Sequence, residues 1–211
     1  MTVVDGLKLN LLVMGWRLAM IAFLGIQFPK PNKTMTRKKI ETLINRCHSA
    51  SLKAGWWAGT INMPEKLCLI HSELSEATLG ILEDKMDDKL PHRKMEEVEM
   101  ADAFIRACDY IGKHGWLEMS PFKVKGLKPY EKRLPALAVL HLRVSLAMEA
   151  LRKDQDDAHR EHMQTFLVEC IHYCNSFDLD LEGAIKEKIA FNAKRKDHKI
   201  EERAKPGGKK F

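Results

Sequence analysis

The sequence predicts an all-α protein that folds as an antiparallel helical bundle. Apolar residues recur every three or four positions through most of the chain, which is the period of an amphipathic helix. No segment alternates polar and apolar residues for long enough to predict a strand. The periodic segments are separated mostly by short polar or Pro- and Gly-rich stretches, and short connections favour antiparallel neighbours.

Length and composition are those of one globular domain with appendages. The chain has 211 residues, 45% of them hydrophobic and 30% charged, a balance that excludes disorder as the dominant state. Its five cysteines are odd in number and form no CxxC pair. This usage favours reduced, buried thiols over a disulfide framework, so a cytoplasmic protein is expected.

Three regions are predicted along the chain. Residues 1–34 form an apolar N-terminal segment that ends in a linker containing Pro29 and Pro31, because two prolines in three residues cannot continue a helix. Residues 35–203 form the all-α domain that holds the functional residues. Residues 204–211 form a basic C-terminal tail.

The apolar stretch at residues 11–28 has three open interpretations. Its length is at the lower limit of a membrane span, and Arg17 near its centre opposes insertion into a bilayer. It is a helix packed on the body or on a partner, a membrane anchor, or an extension that precedes a natural start at Met35. No small-residue cleavage site of a secretory signal follows it.

Six helices are predicted within the domain. Thr36 is the expected N-cap of the first, and Asn62 that of the second, with Pro64 in its first turn. Gly112 and Gly115 are expected to end the third helix. The predicted helices cover about residues 36–54, 62–83, 93–113, 136–153, 158–177 and 181–203.

Two pairs of acidic residues lie on the second and third helices. Glu73 and Glu76 are three residues apart, and so are Glu99 and Asp102, which places each pair on one helix face. The first pair ends about 11 Å before its helix ends, and the second begins about 9 Å after the next helix starts. In an antiparallel hairpin the two pairs therefore meet within about one turn.

Four convergent carboxylates need a counter-charge, because like charges at short distance strongly raise one another's pKa values. Oxygen ligands suit Mg²⁺ or Mn²⁺, and Mg²⁺ keeps waters that can bridge substrate phosphates. The alternative interpretation is a solvated acidic face. Apolar neighbours of both pairs predict partial burial and so favour the metal site; they are Leu74, Ala77, Val98 and Ala101.

The candidate substrate-binding residues are Lys188, Asn192, Arg195, Trp56, Trp57 and His48. The first three are spaced i, i+4 and i+7, so they would share one face of the last helix and suit contacts to phosphate and sugar. The two tryptophans precede the second helix and could stack on a base. An exposed basic face and a hydrophobic lid or core are the alternatives. His48 is a secondary candidate for the same pocket.

The acidic pairs resemble the ExxE…ExxD signature of the MazG-like all-α nucleotide pyrophosphohydrolase superfamily, which includes the dimeric dUTPases. The segment from Lys188 to Arg195 is similar to the superfamily's KxxxNxxR segment. The likeness spans about residues 36–195, and the stretch at residues 113–177 is longer than the minimal family domain requires.

The resemblance implies Mg²⁺-dependent hydrolysis of a nucleoside or deoxynucleoside triphosphate between the α and β phosphates, which yields a monophosphate and pyrophosphate. It implies that the four acidic residues hold the metal and carry the catalysis. It also implies a homo-oligomer, because members of the superfamily are usually dimers or tetramers.

The fourth and fifth helices can be aligned with the second and third. The segment that begins at His141 matches the one that begins at His71, which places Arg143 at the position of Glu73. If this second hairpin is a degenerate repeat of the first, it has lost all four carboxylates. Chance similarity between amphipathic helices is the alternative.

A non-enzymatic helical adaptor is the competing hypothesis for function. Residues 186–211 contain ten basic and four acidic residues and so carry a charge equal to the net charge of +6, which favours contact with the phosphates of a nucleotide or nucleic acid. With the apolar N-terminus, this segment suits an adaptor that binds nucleic acid or a membrane. The adaptor leaves the matched acidic pairs unexplained, because they repel a phosphate backbone unless a metal intervenes.

Overall fold

The computed structural model describes residues 35–118 and 127–209, and within them the chain is helical without a β-strand. The prediction of an all-α bundle is therefore confirmed. The apolar stretch at residues 11–28 lies outside the described residues. The elements are α1 (Arg37–Lys53), α2 (Met63–Leu82), α3 (Met95–His114), α4 (Arg133–Arg152), α5 (Asp156–Ser176), α6 (Leu181–Asn192), a 3₁₀ turn (Lys196–His198) and α7 (Ile200–Arg203).

The first two helices begin where their capping residues predict. The Thr36 side chain accepts a hydrogen bond from the backbone N–H of Lys39 at 3.3 Å, and Oδ1 of Asn62 accepts one from the N–H of Glu65 at 3.2 Å. Pro64 lies in the first turn of α2. Backbone N–H groups in a first turn have no acceptor within the helix, so a proline there costs no helical hydrogen bond. These caps fix the register of α2, the helix that carries the first acidic pair.

Helix α3 is the centre of the bundle and packs against α1, α2, α5 and α6. Two glycines allow close approach to it. A Cβ atom at Gly80 of α2 would lie 2.9 Å from the backbone nitrogen of Glu96, and one at Gly112 of α3 would lie 2.5 Å from Cβ of His48 on α1. Gly112 was expected to end the helix, but it serves this contact, and Gly115 in the left-handed conformation ends α3 instead.

The first hairpin (α2 and α3) packs on the second (α4 and α5). The helices that are equivalent in the sequence alignment are in contact, α2 with α4 and α3 with α5. At the α2–α4 contact the rings of His71 and His141 stack with centroids 5.0 Å apart, and their Nδ1 atoms are 2.7 Å apart. These histidines are equivalent in the sequence alignment of the hairpins, and such a meeting of equivalent residues supports the repeat hypothesis. In the second hairpin Arg143 pairs with Glu169 at 3.6 Å.

The prediction of one long last helix is wrong. Helix α6 ends at Asn192, and the backbone of Arg195 is extended, with φ −69° and ψ 127°. No glycine or proline marks this end. The guanidinium of Arg195 binds the Asp197 carboxylate at 2.5 and 3.0 Å, and the chain then turns back toward α1. Arg195 therefore does not share a helix face with Lys188 and Asn192.

Two smaller expectations, on the cysteines and on the start of α4, are confirmed only in part. All five cysteines are free, as expected, but Cys68 is exposed rather than buried. Helix α4 starts at Arg133, earlier than predicted, because Pro135 is tolerated within the first turn. By length and composition α4 is long and apolar enough to cross a membrane, as core helices of bundles also are, and among the described residues it alone meets that test.

Candidate metal and nucleotide site

Three carboxylates converge between α2 and α3. One oxygen from each of Glu73, Glu76 and Glu99 lies within 4.8 Å of the other two. Glu73 is 6% exposed and Glu99 is 3% exposed, whereas Glu76 is exposed to solvent. The protein therefore covers the cluster at Glu73 and Glu99, and solvent reaches it on one side, at Glu76. Three hard oxygen donors in this arrangement suit Mg²⁺ or Mn²⁺, which retain waters on an open side.

The burial of this cluster follows from the apolar neighbours of each pair. Leu74 and Ala77 on α2, and Val98 and Ala101 on α3, are each 0% exposed. Because they anchor the facing stripes of the two helices, the carboxylates between them are drawn into the interface. The sequence-based prediction that the acidic pairs meet at one height is confirmed for these three carboxylates.

Electrostatics make the cluster unfavourable for three bare negative charges. Burial raises the pKa of Glu99 to about 9, and the negative charges of Asp102 and Glu73 add to the effect against the opposing charge of Lys188. Burial and the neighbouring Glu73 also raise the pKa of Glu76. Near neutral pH and without a cation, Glu99 therefore retains its proton, and a divalent cation would displace it.

Asp102 is held in an ion pair beside the cluster. Its Oδ2 lies 2.7 Å from Nζ of Lys188, which is 2% exposed. Burial raises the pKa of Asp102 to about 6, although Lys188 opposes this rise. Burial opposes the charge of Lys188 as well, but Asp102 outweighs it and the pKa of Lys188 is raised. Lys188 was predicted to bind phosphate, whereas the structure places it against Asp102.

A pocket of about 700 Å³ adjoins the carboxylates, a volume typical of small-molecule sites. Arg106 connects the two, because it lines the pocket and its Nε donates to Oε1 of Glu73 at 2.5 Å. Asp102 also lines the pocket. Basic side chains outnumber acidic ones there, which favours an anionic ligand. The basic residues are Lys53, Lys66, Arg106, Arg195, Lys199 and Lys209, and the acidic ones are Asp102, Asp109 and Glu201.

Among the other predicted substrate residues, Trp56, Trp57 and Asn192 line this pocket together. Oδ1 of Asn192 is buried without a hydrogen-bond partner, so it is an acceptor available to a ligand hydroxyl or N–H group. Each tryptophan ring has a cation over it, Arg203 at 3.5 Å from the Trp56 centroid and Lys66 at 4.9 Å from that of Trp57.

Asp109 is a residue of this site that the sequence-based reasoning missed. Its Oδ1 accepts a hydrogen bond from Nε1 of Trp57 at 2.8 Å and lies 2.8 Å from Nδ1 of His48, while its Oδ2 accepts one from Ser51 at 2.7 Å. His48 thus supports the pocket wall from behind. The signal in the sequence was the spacing from Asp102 to Asp109, seven residues and nearly two turns along one face of α3.

Replacing Asp109 by Ala is expected to lower the free energy of unfolding by about 1–3 kcal/mol, because it leaves partly buried donors unpaired. Urea denaturation followed by far-UV circular dichroism measures the change. Asp157→Ala is the matched control, since that side chain is 96% exposed and pairs with Arg160 of its own helix. Equal stabilities of the two variants would show that Asp109 does not hold the wall.

Comparison with known proteins adds no relative: no protein-family model, no curated protein and no solved structure matches the chain. The MazG-like resemblance therefore rests on the motifs in the sequence. What supports a function is the geometry of the site itself.

Proposed function

We propose that the protein is a Mg²⁺-dependent nucleoside triphosphate pyrophosphohydrolase, which converts a nucleoside or deoxynucleoside triphosphate to the monophosphate and pyrophosphate. The observation that carries this proposal is the position of the Glu73, Glu76 and Glu99 cluster beside a cationic, partly aromatic pocket. The carboxylates suit a hard cation, and the pocket suits an anion with an apolar part. A nucleotide with several phosphates meets both requirements.

The three clustered glutamates would hold the Mg²⁺, for which Mn²⁺ is the alternative. Lys188 binds one oxygen of Asp102, and we propose that the other oxygen is the fourth ligand. A bound divalent cation would supply two things here: it would neutralise the phosphates and acidify a water. Glu76 is the exposed member of the cluster, so the carboxylate oxygen that does not hold the cation would be able to accept a proton on the open side.

The pocket residues bind and orient the substrate in this proposal. Lys66, Arg106 and Arg195 attract the phosphates, since all three line the pocket. Trp57 gives the pocket an aromatic wall for the base. The unpaired Oδ1 of Asn192 accepts a hydrogen bond from the sugar or the base. A homo-oligomer remains a proposal from the resemblance, and light scattering during size-exclusion chromatography tests it.

A panel of ribo- and deoxyribonucleoside triphosphates tests the activity. With Mg²⁺, at least one is expected to yield stoichiometric pyrophosphate and monophosphate, and EDTA is expected to stop the reaction. Release of orthophosphate instead of pyrophosphate would refute cleavage between the α and β phosphates. Salt-sensitive retention of DNA or RNA without any turnover would favour the adaptor hypothesis.

A further inference from the structure

The C-terminal segment lies against the end of α1. Residues 196–209, here called the strap, follow α6 and return to Trp56. The guanidinium carbon of Arg203 lies 3.5 Å from the centroid of the Trp56 ring, and its Nη1 donates to the carbonyl oxygen of Ala54 at 2.8 Å. His198 meets the same ring edge-on, with centroids 5.4 Å apart. The strap therefore holds Trp56 through a stacked cation and a ring edge.

An apolar contact adds to this attachment. A Cβ atom at Gly55 would lie 3.0 Å from Cγ1 and Cδ1 of Ile200, so the strap approaches the backbone of Gly55 closely. Gly55 has a φ of +71°, a left-handed conformation that favours glycine. The loop after α1 is thus shaped to receive the strap, by its backbone as well as by its ring.

The strap also brings cations to the pocket. Lys199 and Lys209 line the pocket, and Nζ of Lys209 lies 3.6 Å from the Asp197 carboxylate that binds Arg195. Arg203 covers Trp56 instead of lining the pocket. The position of the lining cations therefore depends on the attachment at Trp56, while Arg203 itself does not reach the space a ligand would fill.

We infer that the strap is part of the phosphate-binding site and that Trp56 anchors it, instead of serving as the platform for a base. Arg203 is a positioning residue in this assignment, and Lys199 and Lys209 contact the phosphate chain. The inference rests on the proposed function, because it assigns further residues to the same pocket. It differs from the sequence-based expectation that Trp56 stacks on the base.

A probe without a base separates the two roles of Trp56. Inorganic tripolyphosphate with Mg²⁺ is titrated calorimetrically into the full chain and into Arg203→Ala, Trp56→Leu and the double variant. Each single variant is expected to raise Kd about two- to thirtyfold, the range of a cation–π contact. The loss of affinity in the double variant is expected to be smaller than the sum of the two single losses, because both changes remove the contact between Arg203 and Trp56. Arg203→Lys is expected to restore part of the affinity.

Lys205→Ala is the matched control, since Lys205 lies on the strap but pairs with Glu202. It is expected to bind as the wild type does, and thermal melts of all variants are expected to coincide. Trp56→Leu with unchanged tripolyphosphate affinity but weakened nucleotide affinity would overturn the inference in favour of base stacking. Failure of the wild type to bind tripolyphosphate would also overturn it, even if triphosphates turn over. Tripolyphosphate binding without nucleotide hydrolysis would refute the proposed function and leave the strap assignment standing.

Discussion

Replacing Glu99 by Gln is expected to abolish Mg²⁺-dependent pyrophosphate release, lowering kcat/KM by about a thousandfold or more. Gln fills the same buried space but brings no negative charge, so the cluster loses one of the three carboxylates proposed to hold the metal. Glu73→Gln is expected to have the same effect, because its carboxylate belongs to the same cluster. Steady-state pyrophosphate assays at several Mg²⁺ concentrations measure the loss.

The control for this prediction is Glu83→Gln. Glu83 follows α2 directly and is an exposed partner of Lys85, so its variant is expected to retain wild-type activity. An active Glu99→Gln protein would refute the metal-site assignment. Circular dichroism tests whether the Gln variant keeps the helical fold. The variant is expected to melt at no lower temperature than the wild type, in which case unfolding does not explain a loss of activity.

The same substitution is expected to change how stability depends on pH. In the folded metal-free protein the pKa of Glu99 is about 9, against an ordinary value of 4.5. Between these values the folded chain binds more protons at Glu99 than the unfolded chain, so the free energy of unfolding falls as pH rises, by at most about 1.4 kcal/mol per pH unit.

Denaturation in EDTA at pH 6.5 to 8.5, a range of about two units chosen above the pKa of about 6 of Asp102, measures this slope. The slope is expected to be smaller in Glu99→Gln, and Mg²⁺ is expected to stabilise the wild type most at the upper end. Identical slopes in the wild type and the variant would show that Glu99 is ionised in the folded protein.

Replacing Lys188 by Met is expected to lower the free energy of unfolding by about 3–5 kcal/mol. The change leaves the Asp102 carboxylate, whose side chain is 15% exposed, without its 2.7 Å partner, while Met fills a similar volume. The double variant with Asp102→Asn is expected to recover most of this loss, because no uncompensated charge remains. Chemical denaturation at pH 7.5 measures both variants.

Lys186→Met is the matched control on the same helix, since Lys186 is exposed. Its stability is expected to lie close to that of the wild type. If Lys188→Met were as stable as Lys186→Met, Lys188 would be free to bind a phosphate, as its place in the KxxxNxxR segment suggested.

The helices and the acidic cluster could be predicted because they depend on local rules. Thr36 and Asn62 cap their helices through their own side chains. Glu73, Glu76 and Glu99 meet because helical periodicity determines the face of each helix on which they lie. Their distance from the antiparallel turn determines their height along the hairpin. The capping residues act within one helix and the acidic pairs within one hairpin, so both features can be predicted from the sequence alone.

Other features depend on contacts between distant segments and were missed. Helix α6 stops after Asn192 without a breaker, because Arg195 binds Asp197 and the chain continues to Trp56. The pairing of Lys188 with Asp102 joins α6 to α3, and spacing on one helix cannot reveal it. Asp109 gathers partners from α1 and the following loop, which only the packing of α1 on α3 brings near.

The two hairpins pack on each other within one polypeptide, so this contact does not weaken when the protein is diluted. Helix α4 covers α2, and α5 covers α3, within one polypeptide, so the helices that carry the carboxylates find their packing partners by an intramolecular encounter. The effective concentration of the second hairpin is fixed by the connecting chain and does not fall as the protein is diluted. The packing of α4 on α2 and of α5 on α3 thus needs no second copy of the chain.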